Sequence, residues 1–279
     1  MNNPISNSSI KCFHGPNLTD YVYFKNLSTT DNGSVTLTAN WIINQYTATF
    51  NANGGTGGKS VTQNYGSALS APTVMRTGYT FNGWSPSVPS TVPANDETYT
   101  AQWLINKYTV TFAANGGTGG KTVTQDYGTA LSAPTVTRTG YTFNGWSPSV
   151  PATVPAGNAT YTAQWKVNQY TVTFNANGGT GGKSVTQNYG SALSAPSVSR
   201  LGYTLKGWSP VVPSTMPAEN KTYTAQWYLD TYTISYNLNG GTATNPTSYT
   251  VETPTFTLNN PTLSHYDFTG WTGSNGTTP

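Results

Sequence analysis

The sequence predicts a mainly β protein, built as an elongated tandem array of small units, and three observations carry that reading. The segment Gly78-Tyr-Thr-Phe-Asn-Gly-Trp84 returns as Gly140-Tyr-Thr-Phe-Asn-Gly-Trp146, as Gly202-Tyr-Thr-Leu-Lys-Gly-Trp208 and, worn, as His265-Tyr-Asp-Phe-Thr-Gly-Trp271. The closing tryptophans at 84, 146, 208 and 271 lie 62, 62 and 63 residues apart. A fixed period of this size marks an array of repeated units rather than one large core. Within each period apolar and polar residues alternate, which is the pattern of strands with one buried face.

A second series, Trp41, Trp103, Trp165 and Trp227, keeps the same 62-residue step and closes the units. The chain therefore divides into residues 1–45, the tail of a preceding repeat with an irregular N-terminus, then repeats 46–107, 108–169 and 170–231, and a truncated fourth repeat, 232–279. The fourth stops before its closing Ala-x-Trp strand, so the chain reads as a piece of a longer protein.

Taken in order, Tyr46, Ala48 and Phe50 alternate with Thr47 and Thr49 as a first strand. Asn53-Gly-Gly-Thr-Gly-Gly58 turns the chain, and Val61, Gln63 and Tyr65 alternate in a return strand. Gly66–Pro72 is too short for a stable helix; it has room for one helical turn that buries Leu69 and ends before Pro72. Gly78 supplies a positive φ in the Arg76-Thr-Gly78 turn. Tyr79-Thr-Phe81 is the next strand, with Gly83 marking a bulge or a close backbone approach beside Trp84. The three prolines of Ser85–Pro93 exclude a central strand and leave an extended connector that pins Val88 and Val92 to the unit. Tyr99, Ala101 and Trp103 close it. The apolar set then moves from odd to even positions between Ile105 and Tyr108. Side chains alternate with period 2, so the chain twists or breaks at Asn106-Lys107. So short a joint strings the units end to end. A compact unit of 62 residues measures about 27 Å, so three complete and two partial units reach on the order of 100 Å.

Composition narrows the function. Charged residues are 8% of the chain, against roughly a quarter in ordinary globular proteins. Aromatics at 13% supply the apolar groups that a disordered chain lacks. A net charge of +3 with no basic cluster gives no footprint for nucleic acid. The single cysteine, Cys12, permits no internal disulfide and no cysteine metal cluster. The N-terminus does not read as a secretory signal, and no stretch has the ~18 apolar residues of a spanning helix, so no membrane insertion is expected.

Three motifs recur in order at fixed spacing: Tyr-Thr-Val-Thr-Phe-Asn-x-Asn-Gly-Gly, Arg-x-Gly-Tyr-x-Phe-x-Gly-Trp and Tyr-Thr-Ala-Gln-Trp. Together they resemble the Listeria–Bacteroides repeat family, the B-repeat type found in internalin B and many bacterial surface proteins. Residues 46–231 fit throughout, with 21–45 and 232–279 as partial units. The departures are His265 in place of the turn glycine and Leu205-Lys206 in place of Phe-Asn. The resemblance implies small α+β, β-grasp-like units in a secreted or cell-wall-attached parent, with the repeats as stalk or adhesion segments.

No residue is singled out as catalytic, cofactor-binding or metal-ligating. Gly54-Gly-Thr-Gly-Gly-Lys59-Ser60 has the look of a phosphate-binding loop. Asn53 replaces its first glycine, however, and a strand pattern follows where a helix is required. The only histidines are His14 and His265, outside the complete repeats. Asp96 and Glu97 are the acids of the first repeat and Asp126 that of the second, so no pair recurs for acid–base work. Tyr65, Tyr79, Trp84, Tyr99 and Trp103 are read either as a platform for sugars or as core; the two tryptophans and Phe81 are assigned to the core, because a ~60-residue domain fills its interior with large rings. Two functions remain. One is a non-enzymatic, monomeric stalk without cofactor. The other is a set of repeats that bind a host glycan or extracellular matrix protein multivalently.

Overall fold

The computed structural model describes Thr36 and residues 38–273. They divide into two compact units, residues up to Arg76 with Phe81–Trp103, and Thr77–Thr80 with Leu104 onward. In the first repeat β1 (Gln45–Asn51) and β2 (Lys59–Asn64) form a hairpin, and β3 (Tyr79–Ser85) and β4 (Glu97–Ile105) complete a sheet of order β2-β1-β4-β3. The second repeat repeats this order with β5 (Lys107–Ala113), β6 (Lys121–Asp126), β7 (Tyr141–Ser147) and β8 (Ala159–Val167). The third does so with β9 (Gln169–Asn175), β10 (Lys183–Asn188), β11 (Tyr203–Ser209) and β12 (Lys221–Leu229). In the fourth, β13 (Tyr232–Thr233) and β14 (Ser248–Tyr249) form a two-stranded sheet.

The central pair of each complete sheet is parallel. In the third repeat Val172 opposes Lys221 and Asn175 opposes Thr224, after which β12 runs on to Leu229 paired only with β11. A first and last strand that point the same way place entry and exit at opposite ends of the repeat. The advance from Gln169 to Leu229 is roughly 11 strand steps, or about 36 Å at ~3.3 Å per residue.

The predicted alternation sets the core. Ala48 and Phe50 of β1 and Tyr99 of β4 are buried, with the Phe50 and Tyr99 rings stacked at 5.3 Å. Val92 of the proline-rich connector is 2% exposed, and Val88 packs against the same cluster, as the sequence predicts. The bulge at the second glycine of the motif is also present: pairing of β7 with β8 shifts between Phe143 and Trp146, and Gly145 has φ +97°. The slip brings Phe143 and Trp146, three residues apart, into edge contact at 5.5 Å.

Two expectations are corrected. No helix occurs among the described residues, so the units are all-β and the α+β, β-grasp-like assignment is not supported. Leu69 is buried as expected, but on extended chain. Its amide donates to Ser90 O at 2.9 Å, and Val92 N donates to Ser67 O at 2.9 Å. The connector thus takes the backbone groups that a helical turn would have bonded internally. The aromatic core is also redistributed. Tyr99 and Phe50, at 1% and 2% exposure, are the buried rings, whereas Trp84 and Trp103 are half-buried and Phe81, on the outermost strand, is 39% exposed.

Trp103 leaves the core because β4 outruns β1, whose last partner pair is Asn51 and Thr100. Its indole instead lies on the β1–β2 turn and donates from Nε1 to Ala52 O at 3.0 Å. That turn is type I′: Asn53 and Gly54 have φ of 48° and 82°, and Gly55 N donates to Ala52 O at 3.0 Å. The Asn53 side-chain amide donates to Ala101 O at 3.0 Å, tying the turn to the closing strand. Most of the 1–45 tail lies outside the described residues; within it, 38–44 form no strand and Trp41 is 90% exposed.

The glycine after the I′ turn is closely confined. A Cβ at Gly117 would stand 2.5 Å from Thr137 O and 2.7 Å from the Trp165 ring. Gly117→Ala is therefore expected to destabilise the second repeat by about 1–3 kcal/mol, read as a lower urea midpoint and a shift in Trp165 fluorescence. An unchanged midpoint would show that the loop yields freely.

Candidate functional site at the joint between repeats

One residue, Asn168, separates β8 from β9, and it is bonded on every side. Its amide donates to Gly140 O at 2.9 Å, and its carbonyl accepts from Tyr189 N at 2.9 Å. Its side-chain Oδ1 accepts from the Thr142 hydroxyl at 2.6 Å, and Nδ2 donates to the Tyr170 hydroxyl at 3.4 Å. The parity change in the sequence is thus absorbed at a single position that ties a turn of the second repeat to the turn that follows the return strand β10 of the third.

Side chains close the joint. Gly140 has φ +77°, and a Cβ there would stand 2.1 Å from the Tyr189 ring. Glycine is required twice, for its backbone and for the ring laid on it. Tyr189 meets Tyr141 edge-on at 6.0 Å. The Arg138 guanidinium lies 4.0 Å over the Tyr141 ring and donates to Asn115 O at 3.1 Å. Within the same compact unit Gly78, Asn106 and Tyr127 repeat the arrangement, with Asn106 N donating to Gly78 O at 2.9 Å. Gly202 and Asp230 repeat it again, with Val251 in place of the tyrosine. There the Tyr203 hydroxyl donates to Glu252, and this bond holds the phenol above its ordinary value of 10.

An open groove of about 380 Å³ lies at the joint, lined by Gly116–Thr118, Thr137–Thr139, Tyr141 and Tyr189. It presents hydroxyls, phenol edges and a guanidinium already committed to Asn115 and Tyr141. Its lining holds no carboxylate or imidazole, so it has the means to hold a polar ligand and no acid–base pair.

The Listeria-Bacteroides repeat domain profile matches residues 46–102, 108–166, 170–226 and 232–279. The chain belongs to this family. Its relatives include two proteins of Evansella cellulosilytica. One, named as a Gly-rich membrane protein, is 32% identical over 74% of this chain and 27% of its own length. The other, named as a membrane protein, is 30% identical over 85% of this chain and 40% of its own length. Internalin H of Listeria monocytogenes is 34% identical over 53% of this chain and 29% of its own length. The chain thus spans well under half of each of these relatives.

The residues weighed in the sequence fall into place on the repeat scaffold. After Gly58 comes the strand β2, not a helix, and the loop amides of Gly55 and Thr56 bond Ala52 and Met75 carbonyls. Asp96 Oδ1 accepts from Thr47 N at 2.7 Å; Asn158 and Asn220 accept from Thr109 and Thr171 N at 2.8 Å in the same position. An amide oxygen serves equally, so the role needs no charge. Asp126 pairs with Lys107 at 2.7 Å on the surface. His265 is exposed in a turn at φ 67°, and Cys12 and His14 lie outside the described residues.

The five aromatics do not gather into one platform. Tyr99 is core, Trp103 covers a turn, and Tyr65 is 54% exposed beside Tyr46. The counterparts of Tyr65, Tyr127 and Tyr189, are the joint rings. Sequence reasoning missed this role and that of Asn106 and Asn168. The available signal was an Asn or Asp at 44, 106, 168 and 230, one period apart, at the point where the strand parity changes.

Gly140→Ala puts a methyl group where the Tyr189 ring lies. The expected cost is about 1–3 kcal/mol at that joint, measured as faster hydrogen exchange at the Asn168 and Tyr189 amides with the interiors of β8 and β9 unchanged. Unaltered exchange at both amides would remove the ring contact from the account.

Proposed function

We propose that these repeats act as a non-catalytic spacer in a bacterial cell-surface or secreted protein, holding another part of that protein away from the cell. One observation carries the reading: the one-residue linker Asn168, bonded to the repeat before it and the repeat after it. A linker without free residues transmits the direction of one repeat to the next, whereas a flexible linker loses it within a few residues. The parallel first and last strands support the same role, since each repeat is entered at one end and left at the other. Membership in the repeat family and relatives named as membrane proteins and an internalin support an extracellular or wall-attached setting.

The groove at the joint favours a second reading, in which the repeats themselves hold a glycan or matrix protein. The two separate by experiment. The full chain is applied to glycan and host-matrix-protein arrays, and its scattering profile is recorded in solution. The spacer predicts blank arrays and an elongated particle. Saturable binding that strengthens with repeat number would replace the spacer with a multivalent adhesin, and a globular scattering profile would contradict the spacer outright.

A further inference from the structure

Two joints of the second compact unit are built alike but differ in one carboxylate. At the joint after the third repeat, Arg200 lies 3.7 Å over the Tyr203 ring, and the Tyr203 hydroxyl donates to the Glu252 carboxylate. At the joint after the second, Arg138 lies 4.0 Å over the Tyr141 ring, and the Tyr141 hydroxyl has no acceptor among the described residues. We propose that the groove at this joint binds the carboxylate of an acidic sugar, which takes beside Tyr141 the place that Glu252 holds beside Tyr203. The proposal deepens the reading in which the repeats hold a glycan, and rests on it.

The chain itself supplies the template. Tyr189 and Val251 lie on equivalent turn glycines, Gly140 and Gly202, so Gly190 and Glu252, one residue further on, are counterparts. Both stand in matching turns: Ser191 N donates to Asn188 O at 3.1 Å, and Thr253 N donates to Thr250 O at 3.1 Å. From that turn Glu252 reaches Tyr203. Gly190 has no side chain to send, and a Cβ there would meet nothing within 4 Å. The phenol and the guanidinium are nonetheless held in place. Tyr141 is fixed by its edge contact with Tyr189 at 6.0 Å, and Arg138 by its bond to Asn115 O at 3.1 Å, which uses one donor of its fork. Groups already ordered in the free protein lose little entropy when a ligand arrives.

The rest of the lining points to a sugar. Thr118, Thr137 and Thr139 bring hydroxyls, and Gly116 and Gly117 bring bare backbone. Hydroxyls both donate and accept, which suits a polyol. The groove has no aliphatic side chain to receive an apolar residue of a peptide. Its volume of about 380 Å³ falls within the roughly 300–1,000 Å³ of small-molecule sites. The charge then selects among sugars. With no carboxylate in the lining to offset Arg138, an acidic sugar gains an attraction that a neutral one of the same shape does not.

Titration of the isotope-labelled full chain with glucuronate, glucose and a glutamate-rich peptide, followed by amide NMR, tests the proposal. Glucuronate is expected to shift the Thr118, Thr139 and Gly190 amides saturably, and glucose and the peptide to leave them in place. The Arg200 and Tyr203 amides are the internal control, unmoved because Glu252 already engages that phenol. Tyr141→Phe keeps the ring under Arg138 and against Tyr189 and removes only the hydroxyl, so affinity for glucuronate is expected to fall roughly tenfold or more with the β7 and β8 signals otherwise unchanged. Equal shifts with glucose overturn the proposal and leave the glycan reading standing. No shift with either sugar overturns it too, and the glycan reading then rests on the arrays alone. Shifts as large with the peptide, equal shifts at Arg200 and Tyr203, or full affinity in Tyr141→Phe also overturn it.

Discussion

The parallel pairing of the first and last strands is the constraint on which the rest of each repeat depends. Antiparallel neighbours can be joined by a tight turn, but parallel ones need a crossover. The chain between β2 and β4 is that crossover, and it is made without a helix. It runs extended, passes once through the edge strand β3, and returns through a proline-rich connector. Leu69 and Val92 fill the space over the sheet that a helix would otherwise cover. A core this small gains most from large rings, and the Phe50–Tyr99 stack with Trp84 set against it supplies them.

The same pairing makes the joint possible. Because β8 runs past the end of its parallel partner, paired there only with β7, it delivers the chain directly to the next repeat through Asn168. The joint is held by backbone bonds, a hydroxyl bond and one edge-on ring pair. Ring pairs of this kind are worth about 0.5–1.5 kcal/mol beyond burial. None of these contacts relies on a screened surface charge, which accords with a chain that carries few charges. Position 265 in the fourth repeat is an exposed histidine in the left-handed region, where the complete repeats have glycine.

Much of the fold was legible because it is local. Strand alternation, the bulge glycine, the positive φ at Gly78 and the burial of Val92 all follow from a few adjacent residues. The misplacements share a cause, a partner distant in the chain. Leu69 reads as a helical turn until Ser90 is known to take its amide. Trp103 reads as core until the offset of β4 against β1 carries it to the turn 51 residues earlier. Tyr65 and its counterparts read as a possible sugar platform until two of the three prove to sit on the turn glycine of the preceding repeat. The joint groove has no motif at all, since its lining comes from three separate segments that only the fold brings together.

The central claim is that direction passes from one repeat to the next through a single bonded residue. Pulsed electron–electron resonance between spin labels at Thr122 and Ser184, exposed equivalent positions of β6 and β10, measures this most directly, in a chain whose Cys12 is replaced by serine. The account predicts one narrow distance distribution centred at roughly 35–45 Å, about one repeat step. A broad distribution reaching to much shorter distances would contradict it, because it would mean that Asn168 is a hinge.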